Sequence, residues 1–466
     1  MKPGPGASPI SSPASPADEL PAFATTLPSV EARASIPAGF RAGAIAAGIK
    51  PSGRPDLALI AVDGSHAAVA ATFTTNAVVA APIRLSRAHL SATELGGGGR
   101  SGWADAIVAT AGCANAATGA AGDADQAALG RAVAEALLTS TERTLALSTG
   151  VIGVRLPLPA ILDGLTKLVP QLAATDEGLE AAARAIMTTD KVVKLATATV
   201  ELPGPDGRPT RVTVSGIAKG VGMIHPRMAT MLGVILTDAS ASPATLHSLL
   251  SPIVQRTWNQ LTVDGDTSTN DTVFLLASGA SQALPVATAS PEAEILGGAI
   301  EAVARSLARA QAADGEGAET LITCQVSGAA DDADARAIAR GVVSSSLLKA
   351  AVHGRDPNWG RVASAAGNAR LPEEALLEAA GLDHSDAMPR AGRPPQLDPD
   401  QLRIAIAGTL VFAGTPLPFD RDAVRKAMDA PEVLIRLDLG LGSGTGEAFG
   451  CDLTEQYVIE NAEYTT

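Results

Sequence analysis

The stretch Lys219-Gly-Val-Gly-Met-Ile-His-Pro-Arg-Met-Ala-Thr-Met-Leu-Gly233 constrains this chain most, because it drives a glycine-rich loop straight into the apolar run 231–236. A run of that kind asks to be buried in a sheet, so Thr230 stands where a loop enters the core. Ala229-Thr230 joins a small residue to a hydroxyl residue. Such a hydroxyl can attack the preceding carbonyl in an N-to-O acyl shift. Hydrolysis of the resulting ester frees an N-terminus whose α-amine can deprotonate the same hydroxyl. A Thr ahead of an apolar strand is also an ordinary β-propensity choice, so the chemistry needs partners elsewhere in the chain.

The 466 residues suffice for a sizeable core and more than one domain. A formal charge of -14 argues against nucleic acid or an anionic membrane as the main partner. Cys113, Cys324 and Cys451 are odd in number and widely spaced without a CxxC, which predicts neither a disulfide framework nor a zinc site. A reducing cytoplasm fits, and no metal is expected. Residues 1–27 are rich in Pro and Ser, lack the apolar segment of a signal peptide and read as a disordered tail. The uncharged stretch 64–83 holds too many polar residues for a transmembrane helix.

Short β-type runs at 57–62, 68–73 and 106–110 end in Gly or polar turns, and helical periodicity lies between them. At 176–187, Leu179, Ala182, Ala183, Ile186 and Met187 share one helix face before Thr188-Thr189-Asp190 stops the pattern. Strands and helices alternate without a regular βαβ rhythm, which predicts layered α/β rather than a doubly wound sheet. The Pro/Gly/Asp-rich stretch 383–400 reads as an exposed loop.

Three motifs fail on inspection. Asp264-Gly-Asp266 with Ser268 has Thr269 where a calcium loop needs glycine and Leu275 where it needs glutamate. Gly440-Leu-Gly-Ser-Gly-Thr-Gly446 misses the dinucleotide spacing, and too few residues follow for a second βα unit. His225 lies near Thr230, but an N-terminal Thr supplies its own base; a turn histidine before Pro226 is the better reading.

The string Gly222-Met-Ile-His-Pro-Arg-Met-Ala-Thr-Met-Leu-Gly233, with Thr262-Val-Asp-Gly-Asp-Thr-Ser-Thr-Asn-Asp-Thr272 and Gly354-Arg-Asp-Pro-Asn-Trp-Gly-Arg361, resembles the ornithine acetyltransferase (glutamate N-acetyltransferase) family of arginine biosynthesis. The likeness extends from Ile36-Pro-Ala-Gly-Phe-Arg-Ala-Gly43 through Gly48-Ile-Lys-Pro-Ser-Gly-Arg-Pro-Asp-Leu-Ala-Leu-Ile60 to Asn461-Ala-Glu-Tyr-Thr-Thr466. It implies an αββα-type self-processing catalytic core over 28–340, cut after Ala229, with a smaller C-terminal α/β domain over 341–466. It also implies transfer of acetyl from N2-acetyl-L-ornithine to L-glutamate through an acetyl-Thr230 ester, without a cofactor. Acetyl-CoA as a further donor stays open. The two chains from one precursor would assemble as a heterotetramer.

The resemblance also assigns residues. Thr149 and Gly150 end the strand-like Thr144-Leu-Ala-Leu-Ser-Thr-Gly150, where a hydroxyl and an amide can serve an oxyanion; the match gives them that role. Lys219, Glu316, Thr188, Asn461 and Thr466 match substrate contacts, and Thr188 rather than Thr189 is expected to face the ligand. The last residues are then expected to be buried. The chain departs from the family at Thr110-Ala-Gly-Cys-Ala-Asn115 and at Arg227. A self-processing aminopeptidase or amidase of the related fold is the first alternative, and a non-catalytic binding protein, uncut at Thr230, the second.

Overall fold

The computed structural model describes residues 20, 23, 26–64, 66–225 and 231–463. Ala229, Thr230 and Thr466, most of the expected tail, and Arg227 lie outside the described residues. The strands are, in chain order, β1 (Phe40–Ile45), β2 (Leu57–Val62), β3 (Ala67–Phe73), β4 (Ser101–Ala104), β5 (Ala106–Cys113), β6 (Thr144–Val151), β7 (Lys194–Pro203), β8 (Pro209–Lys219), β9 (Leu232–Thr237), β10 (Thr272–Ala277), β11 (Leu321–Ala329), β12 (Arg403–Ile406), β13 (Thr409–Ala413), β14 (Thr415–Pro416), β15 (Glu432–Asp438) and β16 (Gly444–Cys451). They form three sheets, ordered β1-β2-β5-β6, β4-β3-β10-β9-β8-β7 and β14-β13-β12-β15-β11-β16. Each is mixed, with one parallel pair: β5–β6, β9–β10 and β11–β15.

Period-2 alternation explains how the first two sheets stack. In β2, Leu57, Leu59 and Ala61 pack with Leu129 and Val133 of the helix Gly119–Leu137 and with Ile161 and Leu165 of the helix Leu158–Leu168. Ala58 and Ile60 point the other way, into a cluster with Val69, Val234, Leu236 and Phe274 of the second sheet. That sheet's outer face, including Ala196, Val214, Ile235 and Leu275, meets Leu246 and Leu250 of the helix Pro243–Arg256 and Ile300 and Val303 of the helix Pro291–Ala313. Because both faces are covered, these strands read as continuous apolar runs. The third sheet has its own core, where Ile322, Cys324 and Val326 meet Ile338 and Val342 of the helix Asp332–Val343 and Ile404, Ile435 and Leu437. The three cysteines are free and buried. No helix among the described residues is long and apolar enough to cross a membrane.

The helix read at 176–187 spans Asp176–Ala185, capped by Thr175, whose side chain accepts from the Gly178 amide. It ends two residues early, and Met187 is only half-buried. The stretch 383–400 is not a plain exposed loop. It carries the helix His384–Arg390, which seats Ala387 among Ala333, Ala337, Leu371 and Leu377, and Gln396 donates its amide to Asp334. Arg390 at the end of that helix donates to Asp331 and Asp334, which fixes the segment to the helix Asp332–Val343 despite the Pro/Gly composition.

Candidate active site

Six segments converge on one cavity of about 260 Å³: the ends of β6 and β8, the turn after the helix Asp176–Ala185, the loop 264–270 before β10, the turn after the helix Pro291–Ala313, and the last helix, Glu455–Glu463. They bring Thr149, Gly150, Thr188, Lys219, Glu316 and Asn461 to its wall, so six of the residues singled out from sequence meet there. Thr189 lines it too. His225 faces a different hollow, with its Nδ1 3.3 Å from Thr262 Oγ1.

Glycine makes the β6 turn possible. Gly150 has φ +123°, and a Cβ there would lie 2.4 Å from the carbonyl carbon of Gly112 on the paired strand. Just beyond Gly112, Cys113 donates its Sγ–H to Val154 O (2.9 Å) and Asn115, at φ +48°, donates to Gly122 O and Gln126 Oε1. Asn270 Nδ2 donates to Ala114 O (2.7 Å) and Ser148 O (2.9 Å), tying both strand ends together behind Thr149.

Lys219, 5% exposed, donates from Nζ to Thr149 Oγ1 at 3.0 Å. Burial pushes its ammonium below the usual lysine range, and Asp190 is the foremost group opposing that. Asp190 is itself held below the usual carboxylate range: burial works against its charge, but Lys219, Lys194 and the Gly220 amide outweigh it.

Glu316 is buried and doubly held. Its Oε1 accepts from Thr189 Oγ1 (2.7 Å) and its Oε2 from Asn461 Nδ2 (3.0 Å). Gly222 lies against it, leaving no room for a side chain, since a Cβ would sit 2.2 Å from Oε2. Thr188 presents no side-chain bond of its own among the described hydrogen bonds; its amide donates to Asp190 Oδ2 and its carbonyl accepts from Arg54. Both threonines therefore line the site, and Thr189 makes the carboxylate contact.

The string at 262–272 gains a physical reading. Asp264 accepts from the Met223 (2.5 Å) and Ile224 (2.9 Å) amides, and Asp271 from the Met231 amide (3.1 Å). Two carboxylates thus pin the chain on either side of 226–230. Burial raises both, Asp271 well above the usual range. Asp264, Asp266, Asn270 and Tyr457 also wall the cavity, and sequence reasoning missed them as site residues. The Asp-Gly-Asp pair that fails as a calcium loop was the available signal. The expectation of a buried C-terminus falls on residues 464–466, outside the described residues; the helix Glu455–Glu463 before them contains no buried residue and reaches the cavity through Tyr457 and Asn461.

The cavity sets one ammonium against several carboxylates beside a hydroxyl on a glycine turn, an arrangement able to hold a zwitterionic amino acid near an oxyanion donor. The model of the ArgJ family matches residues 41–466. An arginine biosynthesis bifunctional protein ArgJ from Synechococcus is 44% identical over 93% of this chain and 97% of its own length, and a chloroplastic one from Oryza sativa subsp. japonica is 43% identical over 94% and 88%. Among solved structures, ArgJ from Bacillus halodurans is 34% identical, covering 49% of this chain and 96% of that one at a TM-score of 0.42. Ornithine acetyltransferase from Mycobacterium tuberculosis, complexed with ornithine, is 38% identical, covering 42% and 97% at a TM-score of 0.37. With a family match over nearly its whole length and relatives this similar end to end, the chain belongs to the ArgJ family of arginine biosynthesis.

Proposed function

We propose that this chain moves the acetyl group of N2-acetyl-L-ornithine to L-glutamate through an ester on Thr230, after cutting itself between Ala229 and Thr230. The observation that carries the reading is the meeting of the Thr149 hydroxyl, Lys219 and Glu316 in one cavity, beside a segment pinned at Met223, Ile224 and Met231. In self-cleavage the Thr230 hydroxyl adds to the Ala229 carbonyl, the C–N bond breaks and water opens the ester, leaving an Ala229 carboxylate and a free Thr230 amine. In transfer, that amine takes the hydroxyl proton as Oγ attacks the acetyl carbonyl. The Thr149 hydroxyl and Gly150 amide receive the charge on oxygen. Ornithine leaves with the proton on its amine, and the amine of glutamate then attacks the ester. Lys219 suits an α-carboxylate, and Glu316 with Asp264 and Asp266 suits the δ-ammonium of ornithine.

Sheet pairing supports survival of the cut. β8 and β9 are antiparallel neighbours registered from Val214↔Thr237 to Lys219↔Leu232, so cleavage in the loop between them leaves their ladder whole. Thr149, Gly150, Thr188 and Lys219 then belong to the first piece, and Glu316 and Asn461 to the second. The face-to-face packing of two sheets between helices supports the αββα core, and we assign the C-terminal unit to the third sheet, starting near Leu321 rather than at 341. We further propose a cytoplasmic heterotetramer of the two pieces, with Thr466 near the substrate.

Intact-mass measurement of freshly purified protein tests the reading. Pieces of 229 and 237 residues are expected, since the chain has 466, and Thr230→Ala stays uncut and inactive. Active enzyme made of one uncut chain would sink it.

A further inference from the structure

Three loops that reach the cavity meet on one buried cation. Lys194, its side chain 1% exposed, donates from Nζ to Asp190 Oδ1 (2.7 Å), Asp314 Oδ2 (2.6 Å) and Val192 O (3.0 Å). Asp190 also accepts from the Gly220 amide at Oδ1 (2.9 Å) and the Thr188 amide at Oδ2 (3.1 Å). Asp314 accepts from the amides of Lys191 (3.0 Å) and Val192 (3.3 Å). Sealed from water, this cluster has two carboxylates and one ammonium, leaving one negative charge unbalanced. Lys219, on the residue before Gly220, is the further cation whose field acts on Asp190.

We infer that Asp190 is a positioning residue for the transfer: through the ammonium of Lys219 it fixes the Thr149 hydroxyl with its proton aimed into the cavity. An ammonium only donates. At 3.0 Å it occupies a lone pair of Thr149 Oγ1, so the hydroxyl hydrogen must point away from Lys219. A neutral amine can accept, and would let that hydrogen turn inward, away from an oxyanion. The charge on Lys219 therefore decides whether Thr149 can donate. Facing that charge, Asp190, Glu316 and Asp271 favour it, while burial, Lys194 and Lys50 oppose it. Of these, Asp190 alone also grips the backbone at Gly220, so it sets both the charge and the place of Lys219. This rests on the reading of Thr149 as the oxyanion donor.

The test is the pH profile of kcat in processed Asp190→Asn, with acetyl-ornithine and glutamate saturating. Removing the anion lowers the Lys219 pKa further, so the fall of kcat at high pH should begin at a resolvably lower pH than in the parent. At pH 8 kcat should drop about tenfold to a hundredfold, part of the loss of a whole oxyanion donor. A processed Asp190→Asn enzyme whose alkaline limb stays in place overturns the proposal, because a merely structural role would scale kcat without moving it. Where Asp190→Asn does not fold or process, Lys219→Arg decides. Arginine does not lose its proton, so the alkaline limb should vanish, and its persistence overturns the proposal. Should the processed parent transfer no acetyl at all, it is the function that fails. If the parent transfers and the limb does not move, only the role of Asp190 fails.

Discussion

Adding one methyl at Gly222 should damage the enzyme without unfolding it. A Cβ there would lie 2.2 Å from Glu316 Oε2 and 2.4 Å from its Cδ. Ordinary contact begins near 3.4 Å, so the carboxylate must retreat by about 1.2 Å. Gly222 is not among the residues with positive φ, so the backbone accepts alanine without strain. What suffers is the carboxylate, held on both oxygens by Thr189 and Asn461. A shift of about 1 Å in a positioning group can cost up to a hundredfold, and hydrogen bonds to a charged group contribute about 1.5–3 kcal/mol each. We therefore expect Gly222→Ala to lower kcat/KM for acetyl-ornithine about tenfold to a hundredfold, mostly through KM. The melting temperature should fall by a few degrees, because disturbing a buried carboxylate held on both oxygens outweighs the about 0.4–1 kcal/mol gained by restricting glycine's freedom in the unfolded chain. Steady-state kinetics on processed enzyme, paired with a thermal melt, measure both. Wild-type KM in a processed Gly222→Ala enzyme would refute the reasoning, since the methyl cannot fit without moving Glu316.

Activity should rise with pH across neutrality as the Thr230 amine, with a reference pKa of about 7.7–8.0, loses its proton; a flat kcat/KM profile in folded enzyme would require another base. Lys219→Met and Thr149→Ala should be non-additive in kcat, because a single hydrogen bond couples them; defects adding to within about 0.5 kcal/mol in a double-mutant cycle would show them to be independent. Since relatives bear the name bifunctional, incubation with glutamate and either acetyl-ornithine or acetyl-CoA should yield acetylglutamate from both donors, and product from only one would restrict the enzyme to a single activity.

Local signals carried much of this molecule. The runs at 57–62, 106–110 and 144–150 emerge as β2, β5 and β6 because strands buried on both faces leave apolar residues without interruption. Thr149, Gly150, Lys219 and Glu316 were singled out through the resemblance rather than by spacing, and the structure brings them to one cavity; the close approaches at Gly150 and Gly222 give the steric reason those glycines stand there. Asp190, Lys194 and Asp314 were not legible. Charged residues in turns resemble solvated loops, and their burial follows from three segments distant in sequence closing over one another. Likewise the role of Asp264 and Asp271 as clasps on backbone amides depends on how β10 lies beside β9, which no spacing announces.

Tyr457 and Asn461 reach the cavity from the far end of the chain, while Thr149 and Lys219 lie in its first half. A ribosome making this protein releases the β6 turn roughly three hundred residues before Asn461 follows. During that interval Glu316 lacks its Asn461 partner and one wall of the cavity is missing. A chain that stalls or is truncated before Glu455 is therefore left with an incomplete pocket, whatever its sheets have achieved. The order of synthesis thus delays assembly of the substrate site until nearly the whole described fold has been made.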